Sequence, residues 1–141
     1  MKISTKGRYA LRLMLELALH DANQWISVKE IAKNQEISGK YLEQIITQLH
    51  RAMLVQSVRG AQGGYRLAKR PEEITVGMVL RAVEGELAPV SCLEGENFCP
   101  RREDCVTLEV WQKIQEAISS VVDTLTLQDL VHRHHEKQAH K

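Results

Sequence analysis

Cys92, Cys99 and Cys105 are the only cysteines in this 141-residue chain, and all three fall within one run of fourteen positions, CLEGENFCPRREDC. Thiols gathered in this way can form a disulfide, bind zinc, hold an iron-sulfur cluster, or share no role at all. Three is an odd number, so no complete internal pairing exists, and a reducing compartment disfavours even one bridge. The spacing is C-x6-C-x5-C. Structural zinc sites commonly pair cysteines as C-x2-C or C-x4-C and close with a fourth cysteine or histidine, which this spacing does not offer. Three thiolates around a loop suit an iron-sulfur cluster, whose remaining position can take a different ligand. The third cysteine stands at the start of a long helical pattern. The positive end of that helix would stabilise the Cys105 thiolate and the negative charge of a ligated cluster.

The elements that position this loop belong to one ordinary domain, the expectation for 141 residues. With 43% hydrophobic and 26% charged residues, the composition is that of a folded soluble chain rather than a disordered or membrane-spanning one. The most apolar stretch, LRLMLELALH, is interrupted by Arg12 and Glu16, well short of the ~20 residues that a bilayer span needs. The opening MKISTKGRYA has no apolar core followed by a cleavage site. A cytoplasmic location and no membrane partner are therefore expected. The net charge of +1 conceals an asymmetry: residues 1–70 carry 12 Lys or Arg against 5 Asp or Glu (+7), and residues 71–141 carry 7 against 13 (−6). The first half suits a polyanion, although solvated helix faces also collect lysines.

Helical periodicity runs from Gly7 to His20. SVKEIAKNQ opens with Ser27 and Glu30 at capping-box spacing and predicts a second, short helix. Ser38 can cap a third helix to about Ala52, with Leu42, Ile45, Ile46 and Leu49 inward and Lys40, Glu43, Gln44, Thr47 and Gln48 outward. Two helices with a tight connection suggest a helix-turn-helix. LVQSVRGAQGGYRLAKR then reads as strand, glycine-rich turn and strand. A basic hairpin behind a helix-turn-helix is the wing of a winged helix. The same glycines could be taken for a phosphate-binding loop, but no Lys-Ser/Thr pair and no helix follows them.

A fourth helix, capped by Thr75, ends at Gly85. Beyond the cysteine loop a long helix runs from Asp104 to about Thr124, with two apolar rows: Val110, Ile114, Ala117, Val121 and Trp111, Ile118, Val122, Leu125. A helix apolar over so much of its circumference must be covered on two sides, and a second copy of the chain is the commonest cover. A short last helix, TLQDLV, precedes HRHHEKQAHK, a polar tail expected to be disordered, whose histidines could hold a metal but more often stay solvated. The fold expected is mainly α with a small β-hairpin wing: a winged helix-turn-helix over 1–85, a cysteine-rich cluster-binding loop over 86–105, a dimerisation helix and short C-terminal helix over 106–131, and a tail over 132–141.

On such a scaffold double-stranded DNA is the expected partner. Gln44 and Gln48, four residues apart, could read adenine, and Glu43 could accept from a cytosine amino group. Lys40 and Tyr41 sit nearer the backbone. Arg59, Gln62 and Arg66 of the wing could reach phosphates or a minor groove, and Lys2, Lys6 and Arg8 could grip the backbone from the N-terminal end. The bland alternative is that all of these decorate solvated faces.

The run SGKYLEQIITQLHRAMLVQSVRGAQGGYRLAK, the opening MKISTKGRYALRLM, the cysteine loop ending CVTLEVW and the late TLQDLV resemble the IscR branch of a winged-helix regulator family. That family also contains the nitric-oxide sensor NsrR and the cysteine-metabolism regulator CymR. The resemblance spans roughly residues 1–131, and YLEQ and VRGxxGGY carry most of its specificity. It implies a homodimer crossed over through the long helices, a palindromic operator, and a 2Fe-2S cluster that changes which sites are bound and so represses cluster assembly genes. It also implies that Glu43 discriminates between site classes, with Ser38, Lys40 and Gln44 around it, and that Arg59 is the wing arginine. The pattern breaks at one place. IscR-type chains complete the cluster with a histidine three residues past the last cysteine, where this chain has Leu108; NsrR uses an N-terminal aspartate, where it has Arg8. Glu109, one turn after Cys105, is the first candidate for fourth ligand, with Glu103, Asp104, a tail histidine or a partner-chain group behind it. CymR lacks the cysteine trio. A redox or electron-transfer protein on the same scaffold is the competing class. No nucleophile-base pair or paired acids stand out, so an enzyme is not expected.

Overall fold

The computed structural model describes residues 2–95 and 99–141. Six helices and a two-stranded antiparallel hairpin make up the fold: α1 (Thr5–Leu19), α2 (Val28–Gln35), α3 (Gly39–Arg51), β1 (Val55–Val58), β2 (Gly64–Leu67), α4 (Val76–Glu84), α5 (Val106–Val122) and α6 (Leu127–Ala139). Short 3-10 turns lie at Pro71–Glu73, Ser91–Leu93 and Arg102–Asp104. Every helix except α5 starts at a hydroxyl that takes up an amide the helix leaves unpaired. Ser4 accepts from Gly7, Ser27 from Glu30, and Ser38 from Tyr41; caps of this kind contribute about 1 kcal/mol apiece. At Thr75 and Thr126 the cap is reciprocal, returned by Met78 Sδ and by the Asp129 carboxylate.

The core lies where α1 crosses α3, α4 and α6. Leu13, Met14, Leu17, Ile31, Leu42, Ile45, Leu49, Ile74, Val79 and Leu127 form it. The inward stripe expected for α3, Leu42, Ile45, Ile46 and Leu49, is buried throughout. Glu16 is the one charged residue buried among the described residues. Its two carboxylate oxygens are met by His20 Nε2 and by Gln35 Nε2, each at 3.1 Å, while Arg12 reaches across to Gln35. That network ties α1 to the end of α2, where the helix-turn-helix bends.

The bends on either side of α3 use left-handed residues that are not glycine. Glu36 (φ 55°) closes α2, with the Ile37 amide donating to Ala32 O. Met53 (φ 63°) closes α3, and the amides of Met53 and Leu54 return to His50 O and Leu49 O. This is a Schellman closure with methionine where glycine is usual.

The hairpin pairs Val55 with Leu67 and Val58 with Gly64. A third segment joins it: Ile26 N donates to Tyr65 O at 2.9 Å and Tyr65 N to Ile26 O at 2.8 Å. Gly64 permits that approach, because a Cβ there would lie 2.3 Å from Ile26 O.

On the other side of the core, α4 receives the C-terminal part of the chain. Val76 N donates to Leu125 O at 2.8 Å and Leu127 N to Ile74 O at 2.9 Å, forming a small bridge between Thr75 and Thr126. The expected disordered tail over 132–141 is corrected: α6 runs unbroken through His132 to Ala139. Leu127 and Val131 are buried and anchor the first turns, and Arg133 pairs with Glu136 at 3.0 Å along the exposed remainder. Helix propagation from an anchored start adds one hydrogen bond per residue, so a polar continuation persists. Among the described residues no group of three or more potential ligands is gathered in α6 or elsewhere.

Candidate nucleic-acid interface and cysteine loop

α3 presents Lys40, Glu43, Gln44, Thr47 and Arg51 to solvent. Lys40, Gln44, Thr47 and Arg51 follow at i, i+4, i+7 and i+11, one straight ridge of the helix. Arg51 extends this ridge beyond the residues expected to face outward, and the i+7 and i+11 spacing is the signal for it in the sequence. Ser38 is spent as the cap, its Oγ accepting from Tyr41 N at 3.1 Å. Two expected contact residues sit elsewhere. Tyr41 is half-buried, its ring edge-on to Tyr9 with centroids 5.8 Å apart. Gln48 is half-buried on the flank of the ridge, and its Oε1 is buried with no hydrogen-bond partner among the described residues. Gln44 and Gln48 therefore do not form one outward-facing pair.

The Tyr9–Tyr41 contact sets the start of α1 beside the start of α3; along that N-terminal stretch Lys2 and Arg8 are exposed and Lys6 is half-buried. Ser4 is pinned there by the Glu84 carboxylate at the end of α4. In the wing, Arg59 and Gln62 are exposed at the tip. Arg66 is not: its guanidinium stacks 4.1 Å above the Trp25 ring and donates to Gln56 Oε1 at 3.1 Å. A cation held over an indole face is committed to packing, so Arg66 joins the wing to the segment before α2.

The cysteine loop starts in the Ser91–Leu93 turn with a half-buried Cys92, continues through an exposed Cys99, and ends at a half-buried Cys105, which is the N-cap residue of α5. All three are thiols. Residues 96–98 of the expected cluster-binding loop lie outside the described residues. Arg102 spans the loop: its guanidinium donates to Cys92 O at 3.2 Å and its amide to Cys99 O at 3.1 Å. Cys105 Sγ lies 3.3 Å from Thr107 Oγ1. That hydroxyl, then the Leu108 amide at the open end of α5, holds the Cys105 thiol below its ordinary pKa, and Arg101 adds to the effect. Glu109 is exposed on the first turn of α5, whereas Leu108 is 7% exposed and turned inward. The donor set, three thiols with one already biased toward thiolate and a carboxylate a turn away, fits an iron-sulfur group chemically. Among the described residues the ligands are not drawn together around one point.

The comparisons bear on both halves of this surface. The family described as Rrf2, iron-dependent transcriptional regulator, matches residues 3–133. HTH-type transcriptional regulator CymR of Bacillus subtilis is 45% identical over 130 residues, covering 92% of this chain and 89% of that protein. HTH-type transcriptional regulator IscR of Aliivibrio salmonicida is 41% identical over 131 residues, covering 93% and 77%. The solved structure of T. potens IscR superposes with a TM-score of 0.79 at 42% identity, covering 98% of this chain and 91% of that one. Winged helix, exposed recognition ridge and family match agree: the chain belongs to the Rrf2 family of DNA-binding transcriptional regulators and is not an enzyme.

Proposed function

We propose that the chain is a homodimeric repressor of iron-sulfur cluster assembly genes whose operator binding is altered by a 2Fe-2S cluster on Cys92, Cys99, Cys105 and, as fourth ligand, Glu109. The observation that carries the reading is where the cysteines are attached. Cys92 sits in the turn that packs against α5, and Cys105 is the N-cap of α5 itself. Any change in how the loop is held is therefore delivered to that helix. When bound, the cluster supplies a redox-active group whose presence follows iron and sulfide supply. The chain's own part is to offer a lowered thiol at Cys105 and a carboxylate at Glu109. A carboxylate favours soft-donor iron centres less than a thiolate does, so the group should be labile.

α5 supports the homodimer. Val106 (74% exposed), Val110, Ile114 and Val121 leave an apolar strip uncovered along it, continued by Leu125 just past its end, and a two-fold copy buries such a strip against itself. Two recognition helices related by that axis call for a palindromic operator. In each half-site Lys40, Lys2, Lys6 and Arg8 hold phosphates, Glu43 and Gln44 read base edges, and Arg59 and Gln62 extend from the wing.

The test is anaerobic purification with visible absorption, iron and sulfide assays, and operator binding by loaded and stripped protein. Alanine at Cys92, Cys99 or Cys105 should abolish the chromophore, and Glu109→Ala should speed its loss. A ligand can act only through differential affinity for two states, so equal operator affinities in both preparations rule out sensing by this route. A regulator without a cluster is favoured by one observation, the ungathered ligands among the described residues, together with the 45% identity to CymR. Full operator binding by iron-free, sulfide-free protein that takes up no cluster on reconstitution selects that alternative.

A further inference from the structure

α5 packs on the Ser91–Leu93 turn and, through its C-terminal part, on α4, and Leu108 alone is buried along it. The attachment at the α4 end is closely built. Arg81 Nη1 and Nη2 donate to Asp123 Oδ1 and Oδ2 at 2.5 and 3.1 Å. Gly77 lies directly beneath: a Cβ there would come within 2.3 Å of Asp123 Oδ1, 2.5 Å of Arg81 Nη1 and 3.1 Å of Val122 O. The Thr75–Thr126 bridge closes the same corner. Next to it the packing opens, with a hollow of about 210 Å³ between Leu80 and Glu84 of α4, Ile118 and Val122 of α5, and Lys2 and Ile3.

We infer that the Arg81–Asp123 clamp seated on Gly77 is the pivot fixing the angle between α5 and the winged helix, and hence the separation of the two recognition helices on DNA. The inference rests on the reading of α5 as the dimer helix. A 17-residue helix is about 25 Å long, so a turn of about 10° at one end moves the other by about 4 Å. That exceeds the ~3.4 Å step between base pairs. A bidentate pair restricts such turning more than a single contact does, because both oxygens must keep their nitrogens. The hollow beside it leaves the rest of α5 room to move once the pair is broken. Arg81 and Asp123 are thus positioning residues, remote from every base.

The test uses full-length, anaerobically purified protein and a palindromic duplex selected from a random pool by the wild type, with versions carrying one or two base pairs inserted or removed at the centre. Wild type should prefer the selected spacing by about 10-fold or more. Asp123→Ala, Arg81→Ala and Gly77→Ala should each flatten that preference to about 3-fold or less while remaining dimers by light scattering. The reversed pair, Arg81→Asp with Asp123→Arg, should recover most of it, which a merely destabilised fold would not. An unchanged spacing preference in Asp123→Ala and Arg81→Ala dimers overturns the inference. So does loss of the dimer in those variants, since the pair would then hold the interface rather than the angle. A monomeric wild type instead removes the dimer reading itself.

Discussion

Replacing Gly64 with alanine should unfasten the wing. The new Cβ would lie 2.3 Å from Ile26 O, 2.5 Å from Ile26 C and 2.9 Å from Ser27 N. All three are backbone atoms, so no rotamer change relieves the overlap and the segment before α2 must move away. Two hydrogen bonds stand on its position, Ile26 N to Tyr65 O and Tyr65 N to Ile26 O, and at about 1 kcal/mol each their loss costs about 2 kcal/mol. Ile26 is 1% exposed, and partly uncovering it adds about 1 kcal/mol more. The expected total is about 3 kcal/mol. Gly60→Ala is the internal control. A Cβ there meets nothing within 4 Å, but φ is +114°, so backbone strain alone, about 1 kcal/mol, is expected. Urea unfolding of both variants measures the difference. Equal losses in the two, or a Gly64→Ala protein within 1 kcal/mol of wild type, refute the account of the wing as a structure braced by Ile26.

Three further outcomes follow from the contacts. Arg66→Ala should lower stability by about 1 kcal/mol through the lost Trp25 stack and leave the salt dependence of operator binding unchanged; a smaller salt slope would return Arg66 to a phosphate. Lys40→Ala should weaken all operators alike and reduce the salt slope by about 1, whereas Gln44→Ala should cost about 1–3 kcal/mol only where its base is kept. Asp123 is held below the ordinary carboxyl range by its hydrogen bond to Arg81. A carboxyl depressed in the folded state contributes stability above its unfolded pKa of about 3.9, and the contribution fades as pH falls through the folded value. The pair is 40% and 42% exposed, so screening limits it to about 0.5 kcal/mol. The stability gap between wild type and Asp123→Asn, followed by urea unfolding, should stay level above about pH 5 and close below it; a gap that persists unchanged at pH 2 would exclude the ion pair as its source.

Local signals made much of this legible from residues alone. The stripe of α3, the Ser38 and Thr75 caps and the glycine-rich bend at Gly60–Gly64 are set by neighbours three to seven positions away, and periodicity reports those. The exposure of Lys40, Glu43 and Gln44 follows from the same stripe. What was hidden depends on approach between distant segments. Arg66 looked like a wing cation because nothing in GYRLAKR tells that Trp25, forty-one positions earlier, lies beneath it. Gln48 alternates correctly for an outer face, but its Oε1 is covered. The clamp joins residues forty-two apart, and Gly77 reads as a weak point in a helix until Asp123 is seen against it. Polarity alone predicts a disordered tail, because it carries no sign of the anchor that Leu127 and Val131 give to the turns behind them.

Glu36 and Met53 stand at the two borders of α3, and both hold a conformation that side chains other than glycine adopt at a cost of about 1 kcal/mol. The helix proposed to meet DNA is thus framed by two spring-loaded corners, both outside the residues proposed to read bases. Relaxing each with glycine should raise the urea midpoint by the equivalent of no more than about 0.5 kcal/mol, after the added freedom of the unfolded chain is subtracted. The protein can therefore be made sturdier at two corners whose atoms are not those proposed to read sequence.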